Sequence, residues 1–150
     1  MIGIEEISNV ESVPKDRLSG GVLVVSSIRQ DRETLCRILG RTHRAYTASS
    51  YQEALDCFAG GDIAVVLCDS DLPDGTWVDL LNLVSQSADA PLLIVASRLA
   101  DEHLWAKVLN LGGFDVIAKP FEPREVEHVV KTAWVCRNQP VRSKSVSCSA

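Results

Sequence analysis

The stretch VVLCDSDLPDG, residues 65–75, runs an apolar segment of strand length straight into a turn carrying three carboxylates, Asp69, Asp71 and Asp74. An apolar run with no polar alternation is what a strand shows when both of its faces are covered. Acids directly beyond such a strand have a task in chemistry or in capping. The fold therefore turns on whether the rest of the chain supplies covering helices and parallel partner strands.

The pattern does so on both sides of this stretch. GVLVVS (21–26) is a continuous apolar run opened by glycine, and RQDRETLCRILG places Leu35, Ile38 and Leu39 on one helical face before stopping at Gly40. HRAYTA (43–48) alternates like a strand with one side less buried. Ser50-Tyr51-Gln52-Glu53 has the form of a capping box opening a helix that runs to a glycine stop. After DIAVVLCD, the third strand, TWVDLLNLVSQS carries Trp77, Leu80, Leu81 and Val84 at helical spacing. APLLIVAS is a fourth strand, DEHLWAKVLNLGG a helix ended by Gly112 and Gly113, and FDVIAK a fifth strand. Pro123 opens a last helix bearing Val126, Val129, Val130 and Ala133. Five strand–helix units in strict alternation predict an α/β, doubly wound five-stranded parallel sheet with helices on both faces. Chemistry in such a sheet lies beyond the carboxyl ends of the strands. That singles out Ser26 and Ser27, the 69–75 turn, Ala96 and Ser97, and Lys119. Residues 1–20 read as a leader, 21–137 as the folded domain, and the Ser-rich 138–150 as a flexible tail.

Composition narrows the function classes. The net charge of −5 argues against direct nucleic-acid binding, which calls for a basic excess. The longest apolar run, Ile63–Cys68, is too short to span a bilayer, and the acidic N-terminus lacks the plan of a signal peptide. A cytoplasmic protein without a membrane partner is expected. Cys36, Cys57, Cys68, Cys136 and Cys148 form no C-x-x-C pair and read as reduced thiols. His43, His103 and His128 stand apart from other metal ligands. The basic residues around the first helix are interrupted by Asp31 and Glu33, which reads as a solvated mixed face. No glycine-rich phosphate loop follows the first strand and no nucleophile elbow is present, so an enzyme is not expected.

The order of elements, the LCDSDLPDG turn and IAKPF (117–121) resemble the receiver domain of two-component response regulators, of the chemotaxis-regulator-like, flavodoxin-like kind. The resemblance covers roughly residues 20–137. It implies a phosphoprotein of phosphorelay signal transduction, with Asp69 as phosphoacceptor and Lys119 as its cationic partner. It also implies a cis bond from Lys119 to Pro120, and Mg²⁺ as cofactor. Against that pattern, Ser26 and Ser27 stand where the family has an acidic pair. Ala96 stands in place of its hydroxyl residue, with Ser97 one position on to meet a phosphoryl group. Val116 replaces its aromatic switch residue. Asp69 is then expected to be the one carboxylate in the site, with the neutral backbone carbonyl of Asp71 still able to ligate a metal. A hard divalent cation should be held weakly there. An Asp69 paired with Lys119 and hydrogen-bonded by Ser26 or Ser27 would be satisfied without any metal. The side chain of Asp71 is expected in solvent, and Asp74-Gly75 to be a plain turn.

Trp105 and Leu109 lie beside the Leu104–Val108–Leu111 row that should meet the sheet. Their stripe reads either as part of the core or, with Trp105 at the edge of the face between the fourth and fifth helices, as an interface. Trp77 should pack its helix onto the sheet, and Trp134 should close the bottom of the core. A chain ending soon after the fifth helix is expected to act as a stand-alone receiver. Its partners would be a histidine kinase or phosphotransfer protein, other signalling proteins, or a second copy in a homodimer. The competing expectation is a receiver-fold interaction module that works without phosphorylation.

Overall fold

A computed structural model of the chain describes residues 20–60, 62–87 and 89–138. The expected leader up to residue 19, the tail from residue 139 and the thiol of Cys148 lie outside the described residues. The elements alternate as β1 (Gly21–Val25), α1 (Arg29–Leu39), β2 (Ala45–Ala48), α2 (Tyr51–Gly60), β3 (Ile63–Asp69), α3 (Trp77–Val84), β4 (Leu92–Ser97), α4 (Glu102–Leu111), β5 (Asp115–Ala118) and α5 (Pro123–Arg137). A two-residue antiparallel ladder, Asp71–Leu72 with Gly75–Thr76, folds the turn after β3.

The five strands form one parallel sheet in the order β2-β1-β3-β4-β5. After β1 the chain steps outward to β2, then crosses back to place β3 on the other side of β1. This reversal opens a crevice at the carboxyl ends of β1 and β3. Register sets which residues meet there: Val25 lies beside Cys68, and Asp69 beside Ala96.

Successive strand residues point to opposite faces, so each apolar strand feeds two cores. Val22 and Val24 of β1, with Leu67 and Ile117, pack on Leu35 and Leu39 of α1 and on Val126, Val130 and Ala133 of α5. Leu23 and Val25, with Val66 and Val95, pack on Ala54, Leu80 and Val108 of the three remaining helices. All seven residues of β3 are buried, which explains their lack of polar alternation. Trp77 is buried among the second group, as its spacing predicts. Trp134 closes the first: its ring N–H donates to the Gly20 carbonyl at 2.9 Å and its ring meets that of His43.

Several local expectations change. Leu111 does not face the sheet; half of it is exposed, because α4 ends there and Gly112 turns the chain away at φ +107°. Gly40 caps α1 in the right-handed region, so its glycine answers to space: a Cβ would stand 2.7 Å from the Cys36 carbonyl oxygen. At α2, Ser50 accepts from the Glu53 N–H as expected. The Glu53 carboxylate, however, accepts from Ser49 rather than Ser50, one residue further back. A full capping box forms instead at α3. Thr76 accepts from the Asp79 N–H, and Asp79 accepts from the Thr76 N–H. The T-x-x-D spacing of residues 76–79 is the local signature of this cap.

Two substitutions test this packing. Leu67→Ala, at a side chain 1% exposed, should lower the unfolding free energy by about 2–5 kcal/mol with an unchanged denaturant slope. Gly112→Ala, at positive φ and in open space, should cost about 1 kcal/mol through backbone strain alone. Urea titrations followed by circular dichroism read both.

Candidate functional site

Ser26 follows directly on β1, and Asp69 is the last residue of β3, so the strand-order reversal brings the two to one place. The Ser26 hydroxyl donates to Asp69 Oδ2 at 2.6 Å. The other oxygen, Oδ1, lies 2.9 Å from Lys119 Nζ, which arrives from the end of β5 through a cis Lys119–Pro120 bond. Asp69 is 7% exposed and Ser26 1%. A buried carboxylate with a hydroxyl donor on one oxygen and an ammonium on the other has its charge compensated and its hydrogen bonding satisfied. Ser27 is exposed and turns to the pocket mouth instead.

One expectation is overturned here. Asp69 is not the only carboxylate in the site, and the charges of α1 are not all on a solvated face. Asp31 Oδ2 sits 2.7 Å from Lys119 Nζ, with only a fifth of its side chain exposed. Glu33, the other acid that breaks up the basic run, does lie on the surface, paired with Arg29. Arg32 turns inward too and donates to the Ser26 carbonyl at 2.8 Å. Nothing in the spacing of RQDRE marks Asp31 as inward-facing. Its partner lies 88 residues away along the chain, beyond the reach of any local pattern.

Asp74 is also more than a turn signature. Its carboxylate accepts from the Tyr51 N–H at 2.8 Å and the Gln52 N–H at 3.1 Å, capping α2 from 22 residues away. These bonds hold its carboxyl below the usual carboxylate range. Asp71 is exposed, as expected, at the rim of the site.

An open pocket of about 280 Å³ is lined by Ser27, Asp69, Asp71, Ser97, Arg98 and Lys119 among others. Ser97 is buried, and its hydroxyl accepts from the Leu99 N–H at 3.0 Å, while Ala96 offers no polar side chain. Arg98, a cation at the mouth, was missed because nothing but its place after β4 distinguishes it. Cys68 lies beside Asp69 with its thiol pushed up by burial first and by the neighbouring carboxylate second. A second groove of about 260 Å³ runs between α4 and α5, lined by Trp105, Val116 and Ala118 and by the acids Asp101, Glu102 and Glu125. Half of Trp105 is exposed, its ring N–H donating to Asp115, and Leu109 is partly exposed one turn further along α4.

Both oxygens of Asp69 are engaged, the β1 end offers hydroxyls rather than carboxylates, and the second acid is bound to the lysine. Among the described residues no three of His, Cys, Asp and Glu gather as a metal-holding group.

Residues 22–131 match the family model for the response regulator receiver domain. The chain is 32% identical over 112 residues to the hydrogenase transcriptional regulatory protein HoxA of Cupriavidus necator; the match covers 74% of this chain and 23% of that one. The chain thus spans about a quarter of the length of that relative. Among solved structures, the signal receiver domain of an HD domain-containing protein from Pseudomonas fluorescens Pf-5 superposes with a TM-score of 0.71 at 22% identity, covering 79% of this chain and 96% of that one. The beryllofluoride-activated NtrC4 receiver domain dimer gives 0.69 at 23%, covering 75% and 94%. No helix among the described residues is long and apolar enough to cross a membrane.

The Lys119 pairing has a pH signature. Burial pulls the ammonium pKa down, but the hydrogen bonds and charges of Asp31 and Asp69 outweigh it and hold the group above its ordinary 10.5. A raised folded-state pKa adds stability that is complete below about 10.5 and is lost as pH rises through the folded value. Lys119→Met should therefore destabilise the protein by on the order of 2–3 kcal/mol at neutral pH, since two carboxylates lose their counter-charge. In urea titrations the gap to the wild type should close as pH climbs beyond that window.

Proposed function

The chain belongs to the response regulator receiver domain family, and from that premise we propose that it is a phosphorelay signalling module whose phosphoacceptor is Asp69. One observation carries this reading: Asp69 lies buried at the carboxyl end of β3, in the crevice of the strand-order reversal, with Lys119 Nζ on one of its oxygens. A carboxylate attacks a phosphoryl group poorly unless the anionic charge of the donor is met by cations, so catalysis here is positioning and electrostatics. An Asp69 oxygen forms the new O–P bond while the bond from phosphorus to the donor breaks, and the donor leaves with that electron pair. Lys119 supplies positive charge to the transferring group, and Ser97 and Lys119 receive its oxygens.

Mg²⁺, which the family employs for this charge neutralisation, would be bound weakly by Asp69 and the Asp71 carbonyl, because Ser26 and Ser27 bring no charge to it. Ala96 and Val116 weaken the readout as well. Neither a hydroxyl nor a large side chain stands at those positions to make different contacts once the phosphoryl group is in place. The donor would be a histidine kinase or a phosphotransfer protein. The response would pass to other signalling proteins or a second copy of the chain through the face bearing Trp105 and Leu109.

A second reading rests on the satisfied pocket itself. With both Asp69 oxygens engaged by Ser26 and Lys119, the module holds a single state without metal or phosphoryl group. It would then work as an interaction module through the same Trp105 face.

Intact mass after incubation with acetyl phosphate and excess Mg²⁺ separates the two. A slow gain of one phosphoryl group, abolished by Asp69→Asn and accelerated when Ser26 and Ser27 are both replaced by Asp, is the expected result. A mass that stays constant in the wild type and in the acid-restored variant would sink the phosphoacceptor reading and leave the interaction module.

A further inference from the structure

Ser26 and Ser27, directly after β1, leave this site without the acidic pair of the family pattern, and α1 supplies one carboxylate in a different place. Asp31 stands in the first turn of α1, where an acid is favoured by the helix dipole. That preference explains an acid at the position but not the direction of its side chain. Glu33, two residues on, spends its carboxylate on exposed Arg29. Asp31 instead reaches Lys119, 88 residues away, in the shorter of the two bonds that the ammonium makes: 2.7 Å against 2.9 Å to Asp69.

We infer that Asp31 is a positioning residue of the phosphoacceptor site, holding Lys119 Nζ and restraining its delivery to a phosphoryl donor. The ammonium has three N–H donors. One is committed to Asp69 and one to Asp31, so one remains for the oxygens of an incoming group. Asp31 also adds a negative charge beside the path of an anionic donor, where Ser26 and Ser27 are neutral. The other charged side chains around the site do not take this role. Arg32 donates to the Ser26 carbonyl, and Arg98 and Asp71 line the outer pocket. Asp31 is thus a brake on the lysine, which ties the start of α1 to the occupancy of Asp69. The second half of this inference rests on the phosphoacceptor reading above; the hold on Lys119 does not.

The test uses the full chain with Asp31→Asn, Asp31→Glu and, as a surface control, Glu33→Gln, each checked for fold by circular dichroism. The ¹⁵N–¹H signal of the Lys119 ammonium reports how tightly it is held. That signal should be sharp in the wild type and in Glu33→Gln, lost or broadened in Asp31→Asn, and at least partly recovered in Asp31→Glu. The initial rate of mass gain with acetyl phosphate and Mg²⁺ should rise on the order of fivefold in Asp31→Asn, the size expected from removing one unit charge a few ångströms away near water. It should stay near the wild-type rate in the other two variants. An unchanged ammonium signal in Asp31→Asn would overturn the hold on the lysine. A rate that falls in that variant would overturn the brake, because Asp31 would then be assisting the transfer. If no variant gains mass the phosphoacceptor reading fails, and the ammonium signal alone still decides whether Asp31 holds Lys119.

Discussion

A single ammonium shared between two carboxylates organises this molecule. Lys119 Nζ lies within hydrogen-bonding distance of Asp69 from β3 and Asp31 from α1, and it is carried by the segment that follows β5. Three pieces of chain remote in sequence meet at one charge. Two acids this close in a largely buried setting repel each other, and the lysine makes their approach favourable. Ser26 completes the arrangement by occupying the remaining oxygen of Asp69. The site engages its own side chains with one another, and one N–H of the ammonium is left for a group that enters it.

That local constraint depends on the sheet. The carboxyl ends of β1 and β3 are neighbours only because the strand order reverses between them, and they hold their places because both faces of those strands are packed. The helices divide by task. α1 and α5 cover one face, and α1 delivers Asp31. The helices of the other face include α4, whose outer side leaves Trp105 and Leu109 in contact with solvent. The turn after β3 serves both sides at once: Asp69 enters the site, Asp71 rims it, and Asp74 caps α2. Substitutions in this turn therefore act on stability and on chemistry together.

Which contacts are legible in the sequence depends on the range of each interaction. Strand–helix alternation, the burial of Trp77, Pro123 at the start of α5 and the stop at Gly112 come from residues within a turn or two of one another. The pairing of Asp69 with Lys119 and with Ser26 was also legible, because the family resemblance assigns all three to strand ends that a doubly wound sheet must bring together. Asp74 over α2 and Asp31 on Lys119 were not. Both are side chains reaching 22 or more residues along the chain, and their targets depend on how helices are tilted and spaced. The same dependence explains Leu111, whose helical spacing points toward the sheet but whose place at the end of α4 leaves it exposed.

By itself the sequence determined the fold class, the order of the elements and the positions at which this chain departs from its family: Ser26, Ser27, Ala96 and Val116. Those follow from local periodicity and from residue identity, which no packing can alter. Only the tertiary structure decided how the departures are absorbed. Whether a missing acid leaves a hole, a water or a new partner is a matter of which side chain lies close enough to fill its electrostatic place. Here Ser26 turns its hydroxyl onto Asp69, and Asp31, from a helix face that local pattern assigned to solvent, supplies the second carboxylate to the lysine.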